Sequence, residues 1–259
     1  MASIRNYLID KPFKQINLKA VLFDMDGVLY NSMPNHAKAW TDTLAEFGVQ
    51  FPVEEAYMHE GRTGESTIDI AFRRTFGRSV SKEEVRRIYS IKTERFNQCP
   101  AAEVMPGASD LLKKLKYKEL QPMLVTGSGQ KSLLERLNTH FPDTFERRMM
   151  ITADDVQFGK PHPEPYLKAL ELGGFRPDEA LVVENAPLGV EAAHSAGIFT
   201  ICVNTGPLPD SILLDAGADL LFDTMPALNN AWEEIVIQIT NYELRIKNYE
   251  CNPKRQMDS

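Results

Sequence analysis

Short apolar runs alternate with helical patterns along most of the 259-residue chain. The first run, Ala20-Val-Leu-Phe23, follows a polar segment and stops at Asp24, as a buried parallel strand would. Later runs predict strands at 122–125, 149–151, 180–183, 200–203 and 219–222, separated by helices at 108–116, 131–137, 164–172 and 189–195. Strands that alternate with helices favour an α/β fold built on a parallel sheet.

The residues between the first and second strands show helical patterns and no convincing strand. From 34 to 47 apolar residues recur at helical spacing, and Gly48 follows as a C-terminal cap. Ser81-Lys-Glu-Glu84 has the form of a capping box for a helix through Phe96. We therefore predict a core at 20–32 and 103–240, an inserted helical cap at 33–102, and tails at 1–19 and 241–259.

The charge and composition of the chain limit its partners. A formal net charge of -7 disfavours nucleic acid and anionic membranes, because both attract basic surfaces. The three cysteines, Cys99, Cys202 and Cys251, are far apart and show no spacing suited to zinc. Residues 1–19 contain no signal-peptide core, and no apolar run approaches the ~18 residues that span a bilayer. We expect a cytoplasmic protein, a monomer rather than an oligomer, with no membrane or nucleic-acid partner.

Polar residues with useful chemistry stand where the predicted strands end. Open α/β sheets bind ligands outside the carboxyl ends of their strands. The residues found there are Asp24 and Asp26, Thr126-Gly-Ser-Gly129, Gly159-Lys160-Pro161 and Glu184-Asn185. Together these residues form a coherent set for binding phosphate and a metal. The set consists of two carboxylates, a hydroxyl followed by flexible amides, a lysine and an acid-amide pair.

Asp24 and Asp26 lie two positions apart, and Gly27 can supply the turn that brings both carboxyl groups to one pocket. Two carboxylates so close together repel each other, and this raises the free energy of the site unless a cation is bound. Mg²⁺ would relieve this repulsion, because this ion is satisfied by a few carboxylate or carbonyl oxygens together with substrate phosphate. The sequence Asp-x-Asp-Gly is also typical of a simple turn, so the motif alone does not establish a site.

The segment after Thr126 has two interpretations. The amides of Gly127, Ser128 and Gly129 can bind phosphate oxygens at a helix N-terminus, or they can form a plain turn between strand and helix. A dinucleotide-binding loop is disfavoured, because Ser132 stands where a third glycine would be expected.

Three further residues have both a chemical and a structural interpretation. Lys160 lies in a Gly-Lys-Pro turn, where a fixed ammonium group can offset the carboxylates and hold a phosphoryl group. Asn185 can offer a side-chain carbonyl to Mg²⁺ or cap the helix that follows it. From its position on the first cap helix alone, His36 is expected at the surface.

Four segments together carry a family resemblance. They are Phe23-Asp-Met-Asp-Gly-Val-Leu29, Val125-Thr-Gly-Ser128, Gly159-Lys-Pro-His-Pro-Glu-Pro165 and Val183-Glu-Asn-Ala-Pro-Leu-Gly189. In this order and spacing, the chain resembles the haloacid dehalogenase superfamily, in the branch with a helical cap that includes β-phosphoglucomutase and small-molecule phosphatases. The resemblance implies a Rossmann-like, doubly wound parallel sheet core with an inserted α-helical cap domain.

The resemblance also implies a role for each strand-end residue. Asp24 would attack phosphorus, and Asp26 would protonate the leaving oxygen and later activate water. Thr126 and Lys160 would bind the transferring group. Mg²⁺ is the implied cofactor, held by Asp24, Asn185 and the Asp26 carbonyl. Dehalogenases of the superfamily lack the second aspartate, so Asp26 favours phosphoryl transfer from a small phosphorylated substrate.

One departure from the family pattern concerns the metal site. Most phosphatases of this branch have an aspartate where Asn185 stands, so the site carries one negative charge fewer. Glu60, in the cap segment His59-Glu-Gly-Arg-Thr-Gly-Glu-Ser66, is our candidate for a replacement metal ligand. Closure of the cap would then be tied to catalysis. The alternative is that Glu60 is an ordinary exposed acid.

Other cap residues bear on the substrate. His36 and Lys92 align with cap groups of β-phosphoglucomutase and are candidates for substrate binding. The chain has Gly64 where that mutase presents an arginine, and Arg62 stands two positions away. The combination of Glu60, Arg62, Asn185 and the Ala186-Pro-Leu-Gly189 ending looks like that of a bacterial member that hydrolyses inorganic pyrophosphate, which we rank first. A β-phosphoglucomutase or sugar-phosphate phosphatase ranks second, and a non-catalytic phosphate-binding regulator is a third possibility.

Overall fold

The computed structural model describes residues 7–9, 15–128 and 131–240. Its core is a six-stranded sheet in which every pairing is parallel, with the strand order β3-β2-β1-β4-β5-β6. The strands are β1 (Ala20–Phe23), β2 (Gln121–Val125), β3 (Met150–Ile151), β4 (Ala180–Glu184), β5 (Phe199–Val203) and β6 (Leu220–Phe222). The predicted α/β class and parallel sheet are confirmed.

Helices connect these strands and fill the interval between β1 and β2. They are α1 (Met33–Glu46), α2 (Val53–Met58), α3 (Gly64–Phe76), α4 (Lys82–Gln98), α5 (Ala108–Tyr117), α6 (Lys131–His140), α7 (Glu164–Gly173), α8 (Pro187–Ser195), α9 (Asp210–Asp215) and α10 (Met225–Thr240). Short 3₁₀ turns occupy Arg147–Met149, Ala153–Asp155 and Pro177–Glu179. Each helix predicted with bounds is present within a few residues of them. Helices α2 and α3 lie in the stretch predicted only as helical, and α9 was not predicted.

The register of the central strands places the candidate chemistry at one edge of the sheet. Phe23, the last residue of β1, pairs with Leu124 on one side and Val183 on the other. Strand order reverses at β1, because the chain proceeds to β2 on one side and later to β4 on the other. Ligands of open α/β sheets bind outside the strand ends at such a reversal.

Helices cover both faces of the sheet, so alternate strand residues enter two separate cores. Val21 and Phe23 belong to a large cluster that includes Trp232 of α10. Leu22 faces the other way and packs in a second cluster with Tyr166 of α7. Since every residue of β1 is buried, an apolar run without alternation is what this strand requires.

Helices α1 to α4 pack around an apolar cluster of their own, which includes Leu44 of α1, Phe72 of α3 and Ile88 of α4. The predicted capping box begins α4, since the Ser81 hydroxyl accepts from the Glu84 amide and the Glu84 carboxylate accepts from the Ser81 amide. We refer to residues 33–98 as the cap. Its designation as a domain, with bounds at 33 and 102, stays a prediction.

The N-terminal segment corrects one expectation. Residues 1–19 were predicted as a polar tail, yet Tyr7, Leu8 and Ile16 are buried in the large core cluster. The Tyr7 hydroxyl donates to the Gly197 carbonyl at 2.7 Å. The predicted tail at 241–259 lies outside the described residues. In the part of the chain that the structure describes, no helix is long and apolar enough to cross a membrane.

Candidate active site

Lys160 joins two carboxylates at the ends of β1 and β4. Its Nζ donates to Oδ1 of Asp24 at 2.5 Å, to Oε1 of Glu184 at 2.5 Å and to the Val125 carbonyl at 3.1 Å. Lys160 is only 2% exposed, and both carboxylates are buried with it. Although burial opposes a charge, the two acids hold the pKa of Lys160 well above its usual range. The lysine therefore keeps its charge beside the candidate nucleophile, as its position in the sequence predicted.

Glu184 is a structural partner whose contacts the sequence did not predict. Its Oε1 also accepts from the Tyr166 hydroxyl at 2.8 Å, and its Oε2 accepts from the backbone amides of Asn185 and Ala186. These donors use both oxygens of Glu184, so the carboxylate is held in place as a second partner of Lys160, beside Asp24. The only sequence signal for this role was the position of an acid at the end of an apolar strand.

The second oxygen of Asp24 has no partner among the described residues. Oδ2 is buried and accepts no hydrogen bond from the described residues. Burial raises the pKa of Asp24 to about 8, with further contributions from the charges of Glu184 and Asp26, although Lys160 works in the opposite direction. A buried carboxylate with one free oxygen needs another cation, or a reaction partner, to be stable when ionised.

Asp26 lies in a different environment, on the cap side of the site. Its Oδ1 accepts from the Ser32 hydroxyl at 2.5 Å and lies 3.4 Å from Nε2 of His36. On the other side of the imidazole ring, Lys92 Nζ lies 2.8 Å from His36 Nδ1. His36 is buried, so the expectation of a surface histidine was wrong. The cap helices fold back over the strand ends and enclose it.

The pKa shifts in this group follow from burial and from its charges. Burial works against the charge of Asp26, but His36 and the Ser32 hydrogen bond lower its pKa overall. Burial, followed by the charge of Lys92, lowers the pKa of His36. Burial also lowers the pKa of Lys92 to about 8. The Lys92 ammonium lies 5.2 Å from the Trp40 ring centroid and 5.1 Å from that of Phe96, and both rings favour its charged form.

The loop after β2 approaches a cap loop closely. Thr126 is buried, and its Oγ1 accepts from the Ser128 amide at 3.0 Å, which fixes the turn. A Cβ atom at Gly127 would lie 2.6 Å from the Gly61 carbonyl oxygen, so a larger residue would require the backbone of one loop to shift. Thr126, Gly127 and Ser128 therefore follow β2 at the edge of the sheet, as the sequence predicted, and Gly127 lies against the cap loop at Gly61. Gly129, the last residue of that predicted motif, lies outside the described residues.

Glu60 reaches the strand ends from the cap. Nδ2 of Asn185 lies 3.3 Å from Oε1 and 3.2 Å from Oε2 of Glu60, and donates to this carboxylate. Burial raises the pKa of Glu60 well above its usual value, and the charges of Asp24, Glu184 and Asp26 add to the effect. Glu60 is therefore no ordinary exposed acid. It belongs to the same crowded group of carboxylates.

The residues at this point fit a magnesium ion. Oδ2 of Asp24 and Oδ1 of Asn185 are both buried without partners among the described residues, and burial and neighbouring acids raise the pKa values of Asp24 and Glu60. The described part of the chain contains no group of three or more His, Cys, Asp or Glu side chains arranged for a metal. A set of two carboxylates with amide and backbone oxygens matches Mg²⁺, which keeps its remaining positions for water and substrate phosphate.

A small cavity of about 60 Å³ lies between the cap and the strand ends. Its lining includes Asp26, His36, Glu60, Arg62, Tyr89, Lys92, Gly127 and Ser128. Arg62 is half-buried, and its Nε has no hydrogen-bond partner among the described residues. The predicted substrate-binding residues His36, Arg62, Lys92, Gly127 and Ser128 thus line one cavity with the candidate acid/base Asp26.

Comparison with known proteins defines the family. A family model for haloacid dehalogenase-like hydrolases matches residues 21–203. This span runs from β1 to the end of β5 and covers the cap and every strand-end residue described above. The chain belongs to this family, as its motifs predicted. It is an enzyme of the phosphohydrolase type, and enzymes of this family generally use Mg²⁺.

Individual relatives extend this result. A solved structure of a candidate β-phosphoglucomutase from Bacteroides vulgatus has a TM-score of 0.89 and 57% sequence identity, and covers 92% of this chain and 97% of that one. Validoxylamine A 7'-phosphate phosphatase of Streptomyces hygroscopicus subsp. limoneus is 32% identical over 72% of this chain and 86% of its own. A phosphorylated carbohydrates phosphatase of Thermotoga maritima is 30% identical, over 82% and 97%. None of these three is named as a pyrophosphatase, so that resemblance stays a prediction.

Proposed function

We propose that this protein is a Mg²⁺-dependent phosphohydrolase that works through an aspartyl phosphate on Asp24, with inorganic pyrophosphate as its preferred substrate. The observation that carries the proposal is the contact between Glu60 and Asn185. Through it, a cap carboxylate joins the strand-end group, in which an amide replaces the usual acid. The site is thereby complete only with the cap in place over it.

In the first half of the reaction, a carboxylate oxygen of Asp24 would form a bond to phosphorus as the bond from phosphorus to the bridging oxygen breaks. Lys160 holds Oδ1 of this carboxylate and so fixes its orientation at the strand end, while Oδ2 has no partner among the described residues and is the oxygen left for the cation. The leaving phosphate would take a proton from Asp26. Because the pKa of Asp26 is lowered in the free site, this carboxyl would first take up a proton from solvent as the anionic substrate approaches.

In the second half, Asp26 would accept a proton from water as the water oxygen bonds to phosphorus and the bond to Asp24 breaks. The hydrogen bond from Ser32 and the proximity of His36 favour the ionised carboxylate that acts as this base. Bound Mg²⁺, held by Asp24, Glu60, Asn185 and the Asp26 carbonyl, would neutralise charge on the phosphoryl oxygens.

The surroundings of Gly64 support hydrolysis over a mutase reaction. A Cβ atom at Gly64 would lie 2.3 Å from Cδ2 and Cε2 of the Tyr89 ring. The arginine that the mutase presents at this position could not be accommodated without displacement of Tyr89. A mutase must hold a bisphosphate intermediate while it is turned around, so loss of that arginine removes one of its grips on the second phosphate.

The cavity itself supports a small substrate. Its volume of about 60 Å³ is well below the roughly 300–1,000 Å³ of most organic-ligand pockets. Lys92 and Arg62 add positive charge to its wall. Pyrophosphate is small, highly charged and an activated phosphoryl donor, so these cations and Mg²⁺ could hold it without a sugar pocket.

Sugar phosphates are the second candidate substrates. The specific observation in their favour is that the Thermotoga maritima relative, 30% identical over 97% of its own length, is named for phosphorylated carbohydrates. The candidate β-phosphoglucomutase from Bacteroides vulgatus also supports a sugar phosphate. A hexose phosphate would require the cap to stand further from the strand ends than it does in this structure.

Steady-state kinetics with Mg²⁺ separate these candidates. We would compare pyrophosphate, several hexose phosphates, and β-glucose 1-phosphate with catalytic glucose 1,6-bisphosphate. The expected result is a kcat/KM for pyrophosphate well above that for every sugar. Production of glucose 6-phosphate from β-glucose 1-phosphate faster than any hydrolysis would overturn the proposal in favour of a mutase.

A variant pair tests the cap carboxylate in the same assay. Glu60→Gln should raise the Mg²⁺ concentration for half-maximal activity by at least about tenfold, because a metal ligand loses its charge. Glu65→Gln is the matched control, since Glu65 is an exposed acid in the first turn of α3. Equal Mg²⁺ dependence of the two variants would remove Glu60 from the proposed metal site.

A further inference from the structure

The segment between β5 and α9 contacts both the core and the cap. We call residues 204–208 the bridging loop. Asn204 anchors its start, because the Asn204 amide donates to the Phe222 carbonyl of β6 at 2.8 Å. The Asn204 side chain then donates to the Leu208 carbonyl at 2.8 Å and to Asp210 at 2.6 Å. Both ends of the loop are therefore tied to the core.

Leu208 enters the apolar cluster of the cap. It is 8% exposed and belongs to the cluster built around Leu44, Phe72 and Ile88. Among the described residues, every other member of that cluster lies between positions 33 and 89. Leu208 is thus a core residue whose side chain is buried by the cap, and separation of cap from core would expose it to water.

Gly206 makes the second contact of the bridging loop with the cap. A Cβ atom at Gly206 would lie 2.8 Å from Cδ1 of Tyr57, so the loop backbone lies directly under this ring. Tyr57 is buried in α2, and the Glu60 amide donates to its carbonyl at 3.4 Å. The loop therefore supports the short helix that ends just before the cap carboxylate.

The loop also touches the candidate active site from the core side. The Thr205 hydroxyl donates to the Gly27 carbonyl at 2.7 Å, in the turn that follows Asp26. Gly27 in turn packs against Asn185, since a Cβ atom there would lie 2.0 Å from Asn185 Nδ2. The five-residue bridging loop thus contacts both the turn after Asp26 and α2, the cap helix that precedes Glu60.

From these contacts we propose that the bridging loop holds the cap over the strand ends, and that Leu208 is a positioning residue that acts through Glu60. The inference rests on the proposed function in that it uses the role of Glu60 in the closed site. Loss of the Leu208 side chain removes no group that touches substrate. It lowers the fraction of molecules whose cap is closed, and the apparent affinity for substrate and Mg²⁺ falls by that fraction.

The kinetic test compares Leu208→Ala with two controls. Leu208→Ala should raise both the KM for pyrophosphate and the Mg²⁺ concentration for half-maximal activity about tenfold, while kcat stays within about twofold. Leu208→Met keeps the apolar volume and should restore both values. Leu213→Ala is the matched control, because Leu213 is buried nearby but packs with Val190 and Cys202 rather than with the cap. Equal effects of the two alanine variants would overturn the proposal.

A second measurement needs no turnover. Trp40 lines the cavity beneath the cap, whereas Trp232 is buried in the core cluster, so a Trp232→Phe background leaves Trp40 as the reporter. Acrylamide should quench Trp40 more strongly in Leu208→Ala than in Leu213→Ala. Unchanged quenching contradicts the role of the loop whatever the substrate is. Increased quenching in a protein that hydrolyses no pyrophosphate would support the loop and refute the proposed substrate.

Discussion

Asp24 and Asp26 are two positions apart, yet their carboxylates have different partners. Asp24 is paired with Lys160, and its other oxygen has no partner in the part of the chain that the structure describes; burial is the main cause that raises its pKa to about 8. Asp26 is bound by Ser32 and lies beside His36, and its pKa is lowered despite burial. Neighbouring acids whose environments separate their pKa values are typical of sites with distinct nucleophile and acid/base roles.

Lys92 gives the candidate site a predicted dependence on pH. Its pKa is lowered to about 8 by burial, so its ammonium is present below that pH and is lost above it. An anionic substrate needs the charged form. At saturating Mg²⁺, kcat/KM for pyrophosphate should therefore fall as pH rises through about 8, because this ratio reports the ionisation of the free enzyme.

The control for Lys92 keeps the charge and removes the titration. Lys92→Arg should move the decline of kcat/KM to higher pH, since a guanidinium group stays protonated throughout the range. Lys38→Arg, at an exposed lysine of α1, should leave the pH profile unchanged. A profile for Lys92→Arg that declines at the same pH as the unaltered protein would assign that decline to another group.

The elements of the cap depend on local signals that can be tested separately from catalysis. Ser81 caps α4, so Ser81→Ala should lower the free energy of unfolding by about 1 kcal/mol in urea, with kcat unaffected. Ser90→Ala, at an exposed position inside the same helix, should be neutral or slightly stabilising, because alanine favours helix interiors. Equal losses from both changes would mean that the capping contact contributes nothing measurable.

Most elements of the fold could be predicted because their signals are local. The strands are short apolar runs that end at polar residues, and the capping box at Ser81 marks the start of α4 within one residue. Helix α9 escaped prediction because it has only six residues and its apolar residues, Ile212, Leu213 and Leu214, are consecutive. Consecutive apolar residues give no helical period.

The site could be predicted where chemistry coincides with a strand end, and less well where it depends on distant partners. Asp24 and Lys160 are 136 positions apart. They meet because the loops that follow β1 and β3 lie at the same edge of the parallel sheet. Tyr166 lies on a helix with an ordinary apolar face, so nothing local indicated its hydrogen bond to Glu184. His36 was expected at the surface because its burial depends on the cap covering the site.

At the scale of the whole molecule, the candidate site lies where the cap meets the strand ends of the core. The core supplies Asp24, Asp26 and Lys160, while the cap supplies Glu60. The cap also supplies Arg62 and Lys92, the cations that line the cavity. This division explains why the reaction class follows from strand-end motifs, whereas the substrate depends on how cap side chains approach them.

Substrate choice could not be predicted from the strand-end residues, because relatives in the same family are named for different substrates. It depends on volume and charge in a cavity whose wall comes largely from the cap. For example, the Tyr89 ring of α4 packs over Gly64 of α3. This contact follows from the packing of the two helices, and no local sequence pattern indicates it.

The most direct test of the central claim is to trap the phosphorylated enzyme. After rapid mixing with ³²P-labelled pyrophosphate and Mg²⁺ and an acid quench, label should be found on the peptide that contains Asp24. Asp24→Asn should carry no label and lose several powers of ten in turnover, because the nucleophile is gone. Sustained Mg²⁺-dependent hydrolysis by Asp24→Asn, or turnover by the unaltered protein with label on another residue, would contradict the mechanism.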